Sequence, residues 1–224
     1  MTTLEDDRIA AMLKHVQVVP EENFAVFGGG WPDEISTSLV DAVYSIRAQY
    51  RSNTPGRGVL NRLNSFRHAH GQVVNDLGKL IALGGSAIES EMGISQTSQR
   101  TKSSAVIEAA ESLVELGINS GEDFRRYAHD HGVDELKRAY VRVRGLGWVT
   151  FEYFSMLLGR PGVKADTMIC RFVNTALTVQ GLETVDSATA RSLMAAAHER
   201  SGLGATLSHF DHGVWLYQSN TARM

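Results

Sequence analysis

The sequence predicts an all-α protein. Apolar residues recur at the three-to-four-residue spacing of a helix along nearly its whole length, helix start and stop residues bracket the segments, and no segment sustains the alternation of a strand. Residues 4–16 carry Leu4, Ile9, Met12, Leu13 and Val16 as one apolar stripe. Residues 18–33 read as irregular, with Gly28, Gly29, Gly30 and Pro32 as breakers. A helix over 34–50, begun near Ser36 or Thr37, turns Leu39, Val40, Val43, Tyr44 and Ile46 inward. Residues 53–58 form a loop, helices follow over 59–70 and 74–83, and 84–94 reads as a loop or short helix. Residues 98–116 form a long helix that Gly117 closes. Ser120 opens the next, to His129, with Glu122 and Asp123 suited to the positive end of the helix dipole. Helices over 134–143, 149–158, 166–180, 187–200 and 206–220 complete the set, with Ser187 as a candidate N-cap.

A chain of 224 residues, 43% of them hydrophobic, can bury one large domain or two interlocked lobes. The single cysteine, Cys170, excludes internal disulfides, a cysteine-ligated iron–sulfur cluster and a cysteine-held structural zinc. The histidine pairs 68/70, 129/131 and 209/212 lack the companions at firm spacing that a metal site needs, so no metal is expected. Residues 28–31 are not a phosphate loop, because no Lys-Ser/Thr follows. The opening residues lack the basic and apolar regions of a signal peptide, and no apolar run approaches the roughly 18 residues that span a bilayer. The expectation is a cytoplasmic protein with no membrane partner.

The net charge is −3, but it is unevenly spread. Residues 42–75 hold Arg47, Arg51, Arg57, Arg62 and Arg67 and no Asp or Glu, and a second basic cluster comprises Arg125, Arg126, Lys137, Arg138, Arg142 and Arg144. Acids gather at 5–7, 21–22, 33–34 and 108–115. Either a basic face for phosphate or ordinary surface variation accounts for this.

The most informative stretch is 144–173. A basic, apolar lead-in from Leu136 runs into Gly145-Leu146-Gly147, a second apolar helix follows, then a Gly159–Gly162 turn, then Asp166 and Thr167 opening another helix. Two helices joined by Gly-hydrophobic-Gly can hold a phosphate, because glycine lets the backbone approach and the first N–H groups of the second helix face an anion.

This block resembles the helix-hairpin-helix DNA glycosylase superfamily, the endonuclease-III-like fold. The likeness is good over about 136–175: the hairpin is Val143 to Thr150, and the second motif runs from Lys164 to Val173. The segment 207–217 also looks like the closing helix of such proteins. The resemblance implies a barrel-like helical lobe with the hairpin over 36–162, a second helical lobe from 1–35 and 163–224, and a cleft for a flipped nucleotide with Asp166 at its edge. It implies double-stranded DNA as partner, with Arg142, Arg144, Gly145, Leu146, Gly147, Trp148, Thr150 and Lys164 at the strand. Arg47 or Gln49 would fill the gap left by the flipped base. No cofactor is implied beyond a monovalent cation at the hairpin; protein partners are open.

Two features depart from the family. Val149 stands where bifunctional relatives carry a Schiff-base lysine, so lyase chemistry is not expected, and Met168 stands where histidine is common. Asp166 reads either as the carboxylate that stabilises an oxocarbenium-like sugar or as an N-cap. Lys164 reads as a phosphate contact or a solvated loop residue, Trp148 as a packed ring or a wedge, and Asp41 as a surface acid or as the acid that adenine-removing relatives carry near this position. Three functions fit: a monofunctional DNA N-glycosylase of base-excision repair using Asp166, a noncatalytic hairpin binder of nucleic acid, or an N-glycosidic hydrolase on RNA or a nucleoside-like molecule.

Overall fold

The computed structural model describes residues 3–25 and 29–221, so Gly28 of the glycine run lies outside the described residues. The protein is built of helices, with one short β-hairpin among the described residues. Backbone contacts divide it into two compact units, Gly29–Arg160 and Met1–Gly28 with Pro161–Met224. No described helix is long and apolar enough to cross a membrane.

The unit formed by 29–160 is organised around α2 (Ile35–Tyr44), in which every residue is buried. Around it lie α3 (Val59–Ala69), α4 (Leu77–Leu83), α5 (Gly85–Met92), α6 (Lys102–Val114), α7 (Gly121–His131), α8 (Asp134–Val141) and α9 (Trp148–Leu157), with β1 (Gln96–Thr97) and β2 (Arg100–Thr101) ahead of α6. Helices α6 and α9 pack directly on α2. Phe124, Phe151, Phe154 and Tyr140 interlock at 5.3–6.5 Å between ring centres and bind α7, α8 and α9 into one apolar core.

A helix with no solvent face must have its polar groups satisfied from within. Asp41, expected at the surface, is buried in the middle of α2. Its Oδ2 accepts from Trp31 Nε1 at 2.9 Å and from the Tyr50 hydroxyl at 2.8 Å, while the Tyr153 hydroxyl lies 3.5 Å from Oδ1. Burial and then the Asp41 carboxyl push both tyrosines well above the usual range, so they stay protonated donors. Trp31 is clamped in turn by the Arg67 guanidinium, 4.3 Å above its ring, and Arg67 forms a two-pronged ion pair with Glu34.

The end of α2 corrects the sequence expectation. The apolar pattern carries a helix to Tyr50, yet α2 stops at Tyr44. Lys102, only 3% exposed, donates its ammonium to Tyr44 O at 3.0 Å and Ile46 O at 2.7 Å, and Arg47 leaves the helix at φ 49°. Those carbonyls are thereby spent on a lysine 56 or more residues away instead of on the next helical turn. Burial lowers the Lys102 pKa. The chain then returns to α3, whose first N–H groups, of Val59 and Leu60, bond to Gln49 O and Tyr50 O.

A second correction concerns 98–101. These residues are not the start of the α6 helix but the turn and second strand of the β-hairpin, in which Thr97 pairs with Arg100 and Gln96 with Thr101. Strands of two residues are too short to show an alternating pattern. The helix begins only after Thr101, whose hydroxyl caps Ser104 N. Likewise α4 begins at Leu77 rather than Val74, with Asp76 as its cap, and Asp186 rather than Ser187 caps α11.

The other unit comprises α1 (Leu4–His15), two 3₁₀ turns at Val16–Val18 and Glu21–Ala25, α10 (Thr167–Val179), α11 (Ser187–Ser201) and α12 (Leu207–Thr221). Here α1 packs on α10 and α11, and α12 packs on α10 and on the second turn. Phe24 stacks on Phe210 at 5.5 Å and fits only because Gly213 of α12 has no side chain: a Cβ there would lie 2.4 Å from the Phe24 ring.

Lys102→Met keeps the buried stem but leaves Tyr44 O and Ile46 O without a donor. On the scale of hydrogen bonds to charged groups, urea denaturation is expected to show a loss of about 2 kcal/mol. Amide exchange should accelerate first in residues 45–58.

Candidate functional site

The turn between α8 and α9 is fixed from below by its apolar residues. Val143 and Leu146, 1% and 6% exposed, sink into the core that Tyr140 and Phe151 share. Leu146 therefore anchors the turn and is not itself a contact surface, a correction to its expected place at the DNA strand. Gly145 sits at φ 94°, where an L side chain is strained, and a Cβ would lie 2.9 Å from Thr97 Cγ2 of the β-hairpin. Thr97 Oγ1 donates to Gly145 O at 3.2 Å, so β1 and the turn are joined.

Gly147 is the N-cap of α9 in extended conformation, with open space where a Cβ would stand. Its N–H donates to Thr150 Oγ1 at 3.0 Å, and that hydroxyl donates to Gly147 O at 2.7 Å. Both groups, expected at a phosphate, are thus committed to capping the helix. At the start of α9 the Trp148, Val149 and Thr150 amides have no acceptor among the described residues. Around them, Arg142 is exposed, and Arg144 is exposed with Nη2 donating to Gln99 Oε1 at 3.2 Å. Trp148 is half-buried, with the Lys137 ammonium 5.9 Å from its ring.

Several other basic residues are already engaged. Arg125 binds Pro32 O and Asp33, Arg126 binds Asp123, Arg62 binds Gly56 O and Met92 O, and Arg67 binds Glu34. Arg47, Arg51 and Arg57 remain exposed in the loop after α2. Gln49 is exposed too, but its Nε2 is turned back onto Arg51 O at 3.0 Å. A shallow depression of about 620 Å³ in the same unit is lined by Glu89, Glu108 and Glu111, which makes it a poor phosphate site.

In the other unit, Asp166 is the N-cap of α10 and half-buried. Its Oδ1 alone accepts both capping bonds, from Met168 N at 2.9 Å and Ile169 N at 3.2 Å, which leaves Oδ2 for other work. The cap reading and the catalytic reading of Asp166 are therefore compatible. The segment leading to it is held on α12, where Ser208 Oγ accepts from Gly162 N at 3.1 Å. One helical turn later on α12 comes Asp211. Asp211 is buried, and its Oδ1 has no hydrogen-bond partner. Burial, and then the neighbouring Asp166, raise its pKa well above the usual carboxylate range, while Lys164 pulls the other way. Lys164, half-exposed, thus faces Asp211 in part rather than solvent alone.

A family model described as Domain of unknown function (DUF8548) matches residues 7–219. The chain belongs to this family. No curated protein matches it. The matched span takes in both the 143–150 turn and the Asp166–Asp211 pair, so both belong to the DUF8548 domain.

Asp211 gives this DUF8548 protein a pH signature. A raised folded pKa means that the folded protein keeps a proton which the unfolded chain releases above its ordinary 3.8. Stability therefore falls as pH rises from about 3.8 toward the folded value. Asp211→Asn mimics the neutral acid and removes that dependence. Thermal scans are expected to show an unchanged melting temperature near about pH 4 and a raised one near about pH 8.

Proposed function

We propose that this DUF8548 protein binds duplex DNA through the 143–150 turn and hydrolyses the N-glycosidic bond of a modified or mispaired base with Asp166, without lyase chemistry. The observation that carries the reading is the turn itself. Its buried Leu146 fixes the backbone, and the Trp148 and Val149 N–H groups stand open at the positive end of α9, which follows the exposed Arg142 and Arg144 in the chain. This is a phosphate seat in a chain whose net charge of −3 would otherwise repel DNA.

In the hydrolytic step the C1′–N bond breaks and its electron pair leaves with the base, which takes up a proton. The sugar passes through an oxocarbenium-like state that the free Oδ2 of Asp166 stabilises. Water then bonds to C1′ and gives up its proton to Asp166, which returns it to solvent, the source of the proton that the base took up. Val149 offers no amine, so no covalent protein–DNA intermediate forms at the turn. The surroundings of Asp211 support this reading: burial raises its pKa well above the usual carboxylate range.

The test is a panel of duplexes carrying assorted lesions, treated with alkali after incubation. Wild type is expected to leave alkali-labile sites and no borohydride-trapped adduct. Asp166→Asn, which caps as well as Asp, should keep the melting temperature and DNA affinity but lose on the order of a hundredfold in rate. Gly147→Glu meets no clash in the free protein, so it should fold normally and weaken duplex binding whatever the sequence. Salt-dependent binding with no alkali-labile site anywhere in the panel assigns the chain to the noncatalytic binders. Turnover that survives Asp166→Asn removes Asp166 from the mechanism.

A further inference from the structure

Resting on the DNA-binding reading, we infer that the tip of the β-hairpin, Ser98 and Gln99, together with Arg47 of the loop after α2, forms a second contact surface for the sugar-phosphate backbone of duplex DNA, continuous with the 143–150 turn. Nothing in the sequence pattern marks this hairpin, which reads there as helix.

Three observations converge on it. The first is attachment. Thr97 donates to Gly145 O at 3.2 Å, and Arg144 bonds to Gln99 at 3.2 Å, so the hairpin and the turn are tied at two points. On its other side the hairpin runs directly into Lys102, whose ammonium holds Tyr44 O and Ile46 O and with them the start of the loop that carries Arg47. Three segments far apart in sequence are thus held as one surface by side-chain bonds.

The second is strain. Among the described residues, the non-glycine positions at positive φ are Arg47 at 49°, Ser98 at 47° and Gln99 at 64°. All three are exposed and all three lie on this surface. A two-residue hairpin with both central residues at positive φ is a turn that favours Asn-Gly, and Ser-Gln holds it only at a cost. Core packing does not demand these side chains, since they point to solvent.

The third is chemistry. No Asp or Glu occurs in residues 42–75, 93–107 or 136–151, the three stretches that build the surface. The Ser98 and Gln99 N–H groups and the Ser98 hydroxyl have no acceptor among the described residues. The tip therefore offers outward-facing donors beside the exposed guanidinium groups of Arg47, Arg142 and Arg144. The nearest carboxylate bonded to the hairpin, Glu108, is paired with Arg100, and exposed donors suit a run of phosphates, which accept hydrogen bonds and carry the opposite charge.

The double variant Ser98→Asn/Gln99→Gly separates function from strain. Relieving the turn should raise the melting temperature, while loss of the Gln99 and Ser98 side chains should weaken binding to a short fluorescent duplex on the order of tenfold. Arg47→Ala should weaken it comparably and reduce the salt slope by about one. Gln99→Glu, which keeps the length of the side chain and adds a negative charge at the tip, serves if the double variant folds poorly, and should also cost on the order of tenfold. Unchanged affinity in the hairpin variants, with Arg144→Ala still weakening binding, overturns this surface and leaves the turn as the DNA site. A wild-type protein with no salt-dependent duplex binding overturns both.

Discussion

A helix buried on every side cannot lean on water, and α2 is such a helix. Its one carboxyl, Asp41, has to be met by Trp31, Tyr50 and Tyr153, and the carbonyls at its end by Lys102. Each of those partners fixes something else. Tyr50 pins the loop that returns to α3, Tyr153 lies on α9, and Lys102 closes the β-hairpin onto the loop after α2. Removing one partner strands a buried polar group, and that costs more than the bond itself contributes. The polar groups inside this core therefore determine where the surface loops stand.

The candidate nucleic-acid surface follows from that arrangement. The 143–150 turn is held from inside by Leu146 and from the side by Thr97, and its hydroxyl-to-backbone bonds at Gly147 and Thr150 stiffen the start of α9. The amides that remain open point the way the dipole favours an anion. Pairing also sorts the charges. Arg62, Arg67, Arg125 and Arg126 are engaged by carbonyls and carboxylates, while Arg47, Arg51, Arg57, Arg142 and Arg144 stay exposed and give an acidic protein a locally basic surface. Net charge is a poor guide to binding for a chain in which Arg67, Arg125 and Arg126 of the basic clusters are internally ion-paired.

The same logic runs through the Asp166 segment. Capping uses one oxygen, burial raises the pKa of Asp211, and α12 supports the loop through Ser208. An N-cap and a reacting carboxylate are often weighed as rivals, but here one side chain has an oxygen for each.

The sequence by itself determined the helices and many of their starts. Ser120 and Asp166 cap their helices because capping is a bond between residues two or three apart, and such bonds are legible in a local pattern. The Gly-Leu-Gly turn was legible in the same local pattern, but not that its Leu146 sinks into the core. Only the tertiary structure decided that α2 ends at Tyr44, that 98–101 form a hairpin, and that Asp41 and Asp211 are buried. Each of these depends on a partner far along the chain: Lys102 for the carbonyls of α2, Gly145 for Thr97, Tyr153 for Asp41, and Lys164 for Asp211. Periodicity reports which face of a segment is apolar, whereas a buried charge is settled by whichever donor the folded chain brings to it.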